Sequence, residues 1–146
     1  MTDDDVRLHI YRRFVEDARP PSVTETSASL GVSRDDVAAS YRRLADGHVI
    51  VLEPGSLDVW MANPLSARST PFQVRTEGGR EYYAPCVWDA PGVLAVLEAD
   101  GTVDTECPDC ATPLRLEVRD GDLVPAEAVA HFAVPARRWW DDIGFT

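Results

Sequence analysis

Apolar residues recur at helical spacing near the start of the chain. Val6, Ile10 and Phe14 lie four positions apart, and three aspartates precede them. Acidic residues in the first turn suit the positive end of a helix dipole, so the pattern predicts an amphipathic helix. Pro20 and Pro21 end it, because proline does not fit the interior of a helix.

Two further helices are predicted from capping signals. Ser22 and Glu25 have the spacing of a capping box and open a short helix that runs to Leu30. Ser33 opens a third helix, which stops at Gly47. The apolar face of this third helix consists of Val37, Tyr41 and Leu44.

A hairpin is predicted next. Residues 49–52 and 57–61 are short β-type runs on either side of a Pro-Gly turn. The order of three helices and a hairpin is that of a winged helix-turn-helix. This order is informative about fold and says little about function.

The periodicity changes after a polar segment bracketed by prolines. Alternation, turn signals and one helical stretch then predict a small mixed β-sheet with one or two helices. The predicted elements are strands 72–75, 80–83, 102–105, 114–118 and 129–134, with a helix over 89–99.

These patterns predict an α+β fold in two parts. Residues 1–63 form a winged-helix-like helical domain, residues 64–71 a linker and residues 72–146 a second domain with a small mixed β-sheet. The abrupt apolar ending favours a second domain that is incomplete at its C-terminus.

The charge of the chain argues against nucleic acid as a partner. The chain has 25 acidic and 14 basic residues, a net charge of -11, and every basic residue is arginine. Arg34, Arg42 and Arg43 can touch phosphates, but aspartates share their helix, and a charge-balanced solvated face is the favoured interpretation. No apolar run is long enough to span a membrane, and we expect a cytoplasmic protein whose three cysteines are reduced.

Cys86 and Asp89 are the strongest candidates for chemistry. Cys86 follows a proline and precedes the predicted helix, whose N-terminus favours a thiolate, whereas the nearby carboxylate disfavours a second negative charge. Such a pair is suited to passing a proton between thiol and carboxyl. The alternative is a buried cysteine beside an aspartate that caps the helix.

Cys107 and Cys110 have the spacing of half a zinc site. Cys86 and His131 can complete a Cys3His set only through an unusual arrangement. A redox pair and a structural turn are the other interpretations, and the structural turn is favoured.

The sequence resembles the alkylmercury lyase family. The resemblance is carried by 72–74, by Cys107-Pro108 and by the stretch Tyr83-Ala84-Pro85-Cys86-Val87-Trp88-Asp89. It implies a winged-helix-like module joined to a catalytic domain, in which a cysteine is followed three residues later by an aspartate. Cys107 matches a cysteine that looks structural in the family, and Cys110 has no obvious counterpart.

The resemblance implies cleavage of the carbon–mercury bond of organomercurials. Cys86 would bind mercury and Asp89 would shuttle the proton to the departing carbon, so both are also expected mercury contacts. The implied products are a hydrocarbon and Hg(II). No organic cofactor is implied; free thiols would assist turnover, and Hg(II) would pass to a mercuric reductase.

The sequence departs from the family pattern at one position. The family's second mercury-binding cysteine lies beyond a stretch that resembles 131–135, and no cysteine follows Cys110 here. Activity is therefore expected to be impaired if this member lacks that thiol. The alternatives are a winged-helix transcriptional regulator and a metal- or thiol-sensing protein without catalysis.

Overall fold

The three N-terminal helices begin where the sequence places their caps. In the computed structural model, which describes residues 1–144, they are α1 (Asp3–Asp17), α2 (Val23–Leu30) and α3 (Arg34–Asp46). Thr2 accepts a hydrogen bond from the Asp5 N–H, and Ser22 and Ser33 cap α2 and α3 in the same way. Each cap satisfies an N–H group that the first turn leaves without a partner. The predicted helices are confirmed.

The strands that follow form one antiparallel sheet. Its strands are β1 (Val51–Leu52), β2 (Val59–Ala62), β3 (Leu65–Ser66), β4 (Gln73–Thr76), β5 (Glu81–Tyr83), β6 (Gly101–Glu106), β7 (Pro113–Arg119) and β8 (Asp122–Leu123). Their order is β1-β2-β3-β5-β4-β6-β7-β8, and every described pair is antiparallel. Helices followed by an antiparallel sheet confirm the α+β class.

The segment predicted as a linker contributes a strand. Leu65 and Ser66 are both buried, and β3 pairs with β2 on one side and β5 on the other. The predicted linker over 64–71 therefore contains a strand at these two residues, which the sequence analysis did not predict. The polar, proline-rich composition of the segment gave no sign of these two residues, which the sheet buries between β2 and β5. The domain boundaries stay a prediction, and positions 145–146 of the predicted catalytic domain lie outside the described residues.

One helix, α4 (Asp89–Val96), packs on the sheet, and it begins at Asp89. The helix buries Ala90, Val93 and Leu94. It ends three residues earlier than predicted, because Glu98 takes a left-handed conformation with φ of 49°. The Ala99 N–H then bonds to the Leu94 carbonyl, which closes the helix end.

A single hydrophobic cluster joins the helices to the sheet. Its fully buried members come from α1, α3, α4 and the central strands. They include Val6, Ile10, Phe14, Val37, Tyr41, Val74, Leu94 and Val103. Contacts of this kind hold the predicted helical part against the predicted catalytic part.

The predicted last strand, 129–134, is absent. Val129 is 93% exposed, and residues 129–134 have no strand structure. Its apolar residues serve another purpose: Phe132 contacts Trp139 of a 3-10 helix, Ala136–Asp141, and both face the site described below. Apolar alternation alone could not distinguish a strand from a segment that packs against a cavity.

Within residues 1–144, no helix is long and apolar enough to cross a membrane. The longest of them, α1, has 15 residues and many charged side chains.

Candidate functional site

Cys86 lies in the turn that connects β5 to α4. The strand end before it is fixed by two bonds: Ala84 N–H donates to the Phe72 carbonyl over 3.1 Å, and the Thr70 hydroxyl donates to the Ala84 carbonyl over 2.6 Å. On the other side, the Cys86 carbonyl accepts a hydrogen bond from the Ala90 N–H over 3.1 Å. The backbone at Cys86 is therefore positioned from both directions.

The structure brings Cys86 and Asp89 into direct contact. The Cys86 thiol donates a hydrogen bond to Asp89 Oδ2 with a sulfur–oxygen distance of 3.2 Å, and both residues are half-buried. Asp89 is the first residue of α4, whose N-cap is Trp88, and no side chain caps this helix. The alternative interpretation of Asp89 as a helix cap is therefore wrong. Its carboxylate faces the thiol instead.

Burial sets the protonation of this pair. It raises the pKa of the Cys86 thiol to about 11, and the negative charge of Asp89 acts in the same direction. The backbone N–H groups of Asp89 and Trp88 point at the sulfur and oppose this rise. Burial also raises the pKa of Asp89, while the hydrogen bond from Cys86 opposes that shift. At neutral pH the resting pair is a thiol beside a carboxylate.

A small, mostly apolar cavity of about 60 Å³ opens over the pair. Its other lining residues come from β2 and the loop after it, from the turn before Cys86 and from the C-terminal segment. They are Met61, Asn63, Pro85, Phe132, Trp139 and Ile143. Tyr11 of α1 donates a hydrogen bond to the Asn63 carbonyl over 3.0 Å, so the helical part supports one wall of the cavity.

Residues 132–144 cover the cavity and are anchored to the rest of the protein. The Trp139 indole N–H donates to the Val134 carbonyl over 2.8 Å. Trp140 stacks on His48, with ring centroids 4.0 Å apart and an interplanar angle of 5°. Gly144 lies against the Trp60 ring so closely that an added Cβ would come within 2.6 Å of it. The cover is therefore tied to the β1–β2 hairpin and the end of α3.

Cys107 and Cys110 lie apart from this cavity, on the turn between β6 and β7. Cys107 is half-buried and Cys110 is exposed. Among residues 1–144 no three His, Cys, Asp or Glu side chains are grouped so that they could hold a metal ion. The structure thus does not assemble the Cys3His zinc set with Cys86 and His131.

Sequence reasoning paired Cys86 with Asp89, which the structure brings into contact, and missed the walls of the cavity. Met61 and Asn63 belong to the part of the chain that was assigned to a separate helical domain. Nothing in their local pattern indicates a site. Phe132, Trp139 and Ile143 did carry a signal, because they are large apolar residues in a segment otherwise rich in charge and exposed to solvent.

Comparisons with known proteins point in one direction. Residues 65–146 match the model of the MerB family, described as alkylmercury lyase. The crystal structure of the mercury-bound form of MerB2 resembles this fold with a TM-score of 0.65 and 21% sequence identity. The match covers 83% of this chain and 59% of that one, so this chain spans less than two thirds of its length. No curated protein matches the chain.

Proposed function

The chain belongs to the alkylmercury lyase family, and we propose that it cleaves the carbon–mercury bond of organomercurials at Cys86 and Asp89. The observation that carries the proposal is the hydrogen bond between the Cys86 thiol and the Asp89 carboxylate within an apolar cavity. An acid–base pair and a soft sulfur ligand are the two groups that protonolysis of such a bond needs.

The reaction begins when mercury of the substrate binds the Cys86 sulfur. A sulfur–mercury bond forms, and the thiol proton passes to Asp89, its hydrogen-bond partner. Thiolate ligation weakens the bond from mercury to carbon. Protonated Asp89 then delivers the proton to that carbon as the carbon–mercury bond breaks. The electron pair of the broken bond forms the new carbon–hydrogen bond. Overall, an organomercurial and one thiol give a hydrocarbon and a mercury thiolate, with no change of oxidation state.

The surroundings of the pair favour this sequence of proton transfers. A high thiol pKa keeps the proton on sulfur until mercury arrives, since a permanent thiolate beside Asp89 would be repelled. The raised pKa of Asp89 makes its carboxylate a better proton acceptor than an exposed aspartate. The N–H groups of Trp88 and Asp89 support the negative sulfur once the proton has left.

We assign the helical part a supporting role, although its winged-helix-like order remains a proposal. Met61 and Asn63 line the cavity, and Tyr11 holds Asn63 in place. Arg43, one of the candidate phosphate contacts, is occupied by an ion pair with Asp3. Its side chain therefore supports packing of α3 on α1 and gives no support to DNA binding.

The proposal extends to the setting of the enzyme. Three free thiols suit a reducing compartment, which favours the cytoplasm. Product Hg(II) on a single Cys86 thiolate would leave with the help of free thiols, and hand-off to a mercuric reductase is the further step that the family implies. No organic cofactor is needed for any bond change described above.

The test is hydrocarbon release from methylmercury in the presence of excess thiol. We expect the protein to release methane, and in D2O to release singly deuterated methane, because the transferred proton exchanges with solvent. Cys86→Ser should lose the methylmercury bound at position 86 and release no methane. Asp89→Asn should still bind mercury at Cys86 while methane release falls by about 100-fold or more, the usual contribution of a positioned acid–base group.

Cys110→Ser is the matched control, because it removes a thiol outside the cavity and should release methane at the parent rate. A parent protein that binds methylmercury without releasing methane would refute the lyase proposal and leave a mercury-binding protein. Full activity in Cys86→Ser would instead refute the assignment of the site.

A further inference from the structure

Two thiols outside the cavity share one tight turn. Cys107 ends the β6 side of the turn, and its N–H donates to the Thr112 carbonyl over 2.9 Å. Its carbonyl accepts from the Ala111 N–H over 2.8 Å. These two bonds close the turn from both sides and hold positions 107 and 110 on the same loop.

The two cysteines are three positions apart on this turn and interact through their side chains. The Cys110 sulfur also lies 3.1 Å from the Thr112 hydroxyl. Both are free thiols, and Cys110 is exposed. The proposed reaction at Cys86 and Asp89 uses neither of them.

The geometry points to a second soft-metal site, in which Cys107 and Cys110 bind Hg(II) as a two-coordinate dithiolate. No third His, Cys, Asp or Glu within residues 1–144 joins them to make a larger ligand set. Zinc in structural sites almost always takes four ligands, so a bare pair suits it poorly. Hg(II) is soft and thiophilic and is stable with two sulfur ligands, which is what the turn offers.

Binding at this pair balances without any further reactant. Two sulfur–mercury bonds form, and the two thiol protons pass to solvent. Mercury stays divalent throughout. The net negative charge of the protein favours a cation in its vicinity. Because Cys110 is exposed, the pair can receive Hg(II) that leaves Cys86 bound to a small thiol. Only this last step rests on the proposed function.

The experiment uses reduced Cys86→Ser protein, kept anaerobic and titrated with mercuric chloride against an excess of a competing monothiol. We expect one Hg(II) per chain and the loss of two titratable thiols for each ion bound. Adding Cys110→Ser to this variant should weaken its affinity for Hg(II) by about 100-fold, since the ion loses a second sulfur that was held at high effective concentration. Unchanged binding in that double variant would overturn the assignment, as would the absence of binding in Cys86→Ser.

Asp109→Asn in the Cys86→Ser background is the matched control, because it changes the same turn and leaves both sulfurs. This variant should bind Hg(II) with the same affinity as Cys86→Ser. A loss of affinity as large as that caused by Cys110→Ser would identify the carboxylate as a ligand and overturn the two-coordinate site. Zinc retained stoichiometrically through desalting would overturn it as well.

A measurement on the parent chain avoids dependence on the fold of any variant. Bound Hg(II) should protect Cys107 and Cys110 together from alkylation, as mapped by peptide mass. Protection of only one of these cysteines from alkylation would contradict a single ion bound by both. Since the probe is inorganic Hg(II), these results do not depend on carbon–mercury cleavage, and a failure of methane release would leave them intact.

Discussion

The Cys86 sulfur and Asp89 Oδ2 are 3.2 Å apart, and the thiol is the donor. Because burial raises the pKa of Cys86 to about 11, the proton resides on sulfur at neutral pH, and the carboxylate is the group placed to accept it. The arrangement differs from an activated cysteine nucleophile, whose thiolate is stabilised by a neighbouring cation. It fits a sulfur that gives up its proton only in exchange for a soft metal.

The first prediction concerns the pH dependence of thiol alkylation. The pKa of Cys86 is raised to about 11, whereas the hydrogen bond from Thr112 lowers the pKa of Cys110. Because the thiolate is the reactive form, Cys110 should be alkylated first at neutral pH. The rate at Cys86 should keep rising with pH up to about 11. Iodoacetamide labelling followed by peptide mass mapping measures each site separately.

Asp89→Asn provides the control for the cause of this shift. The variant removes the negative charge of Asp89, which raises the pKa of Cys86, but burial, the largest cause of the rise, remains. The pKa of Cys86 should therefore fall and still stay above its ordinary value. A labelling profile at Cys86 that is the same in parent and variant would show that the carboxylate does not act on the thiol.

The contact between Cys86 and Asp89 was predictable because the two residues are close in sequence. A spacing of three residues at the start of a helix brings Cys86 and Asp89 together by local geometry alone. The walls of the cavity come from distant positions such as Met61 and Trp139, and only the folded chain joins them. The role of Asp89 was open for the same reason, since its sequence position fits both a helix cap and a proton acceptor.

The fold was predictable where local signals and tertiary structure agree. Capping residues such as Ser22 and Ser33 specify helix starts, and they do so here. The short strand at Leu65 and Ser66 carries no periodic signal, because two residues are too few to show alternation. The segment 129–134 has a strand-like pattern but no strand structure, and its Phe132 packs over the site instead.

The second prediction concerns the junction between the helices and the sheet. The Tyr82 hydroxyl donates to the Val15 carbonyl over 2.8 Å, and the Arg80 guanidinium donates to the same oxygen over 3.0 Å. Tyr82→Phe removes one of these bonds and should lower the free energy of unfolding by about 1 kcal/mol. Urea denaturation followed by fluorescence measures this. A change within error would show that Arg80 alone satisfies the carbonyl.

The third prediction concerns a close backbone contact in the sheet. A Cβ added at Gly101 would lie 2.3 Å from the Arg75 carbonyl oxygen and 2.8 Å from the Leu94 side chain. Gly101→Ala should therefore force the strand apart and cost about 1–3 kcal/mol of stability, as overpacking does. Gly78→Ala is the control, since its added Cβ meets only the Thr76 hydroxyl oxygen, at 3.7 Å. Thermal unfolding that ranks the two variants equally would contradict this account.

The fourth prediction concerns substrate size. Trp139 lines a cavity of only about 60 Å³ over Cys86, so the parent should favour methylmercury over phenylmercury. Trp139→Ala removes an indole from the wall and should raise the relative kcat/KM for phenylmercury by at least about tenfold, the scale on which apolar pockets discriminate by size. Trp140→Ala is the matched control, because Trp140 belongs to the same 3-10 helix but stacks on His48 outside the cavity. Hydrocarbon release from both substrates, measured by gas chromatography, should change preference in the first variant only. If both variants change the substrate preference equally, the mobility of residues 132–144 limits the size of the substrate, and the volume of the cavity does not.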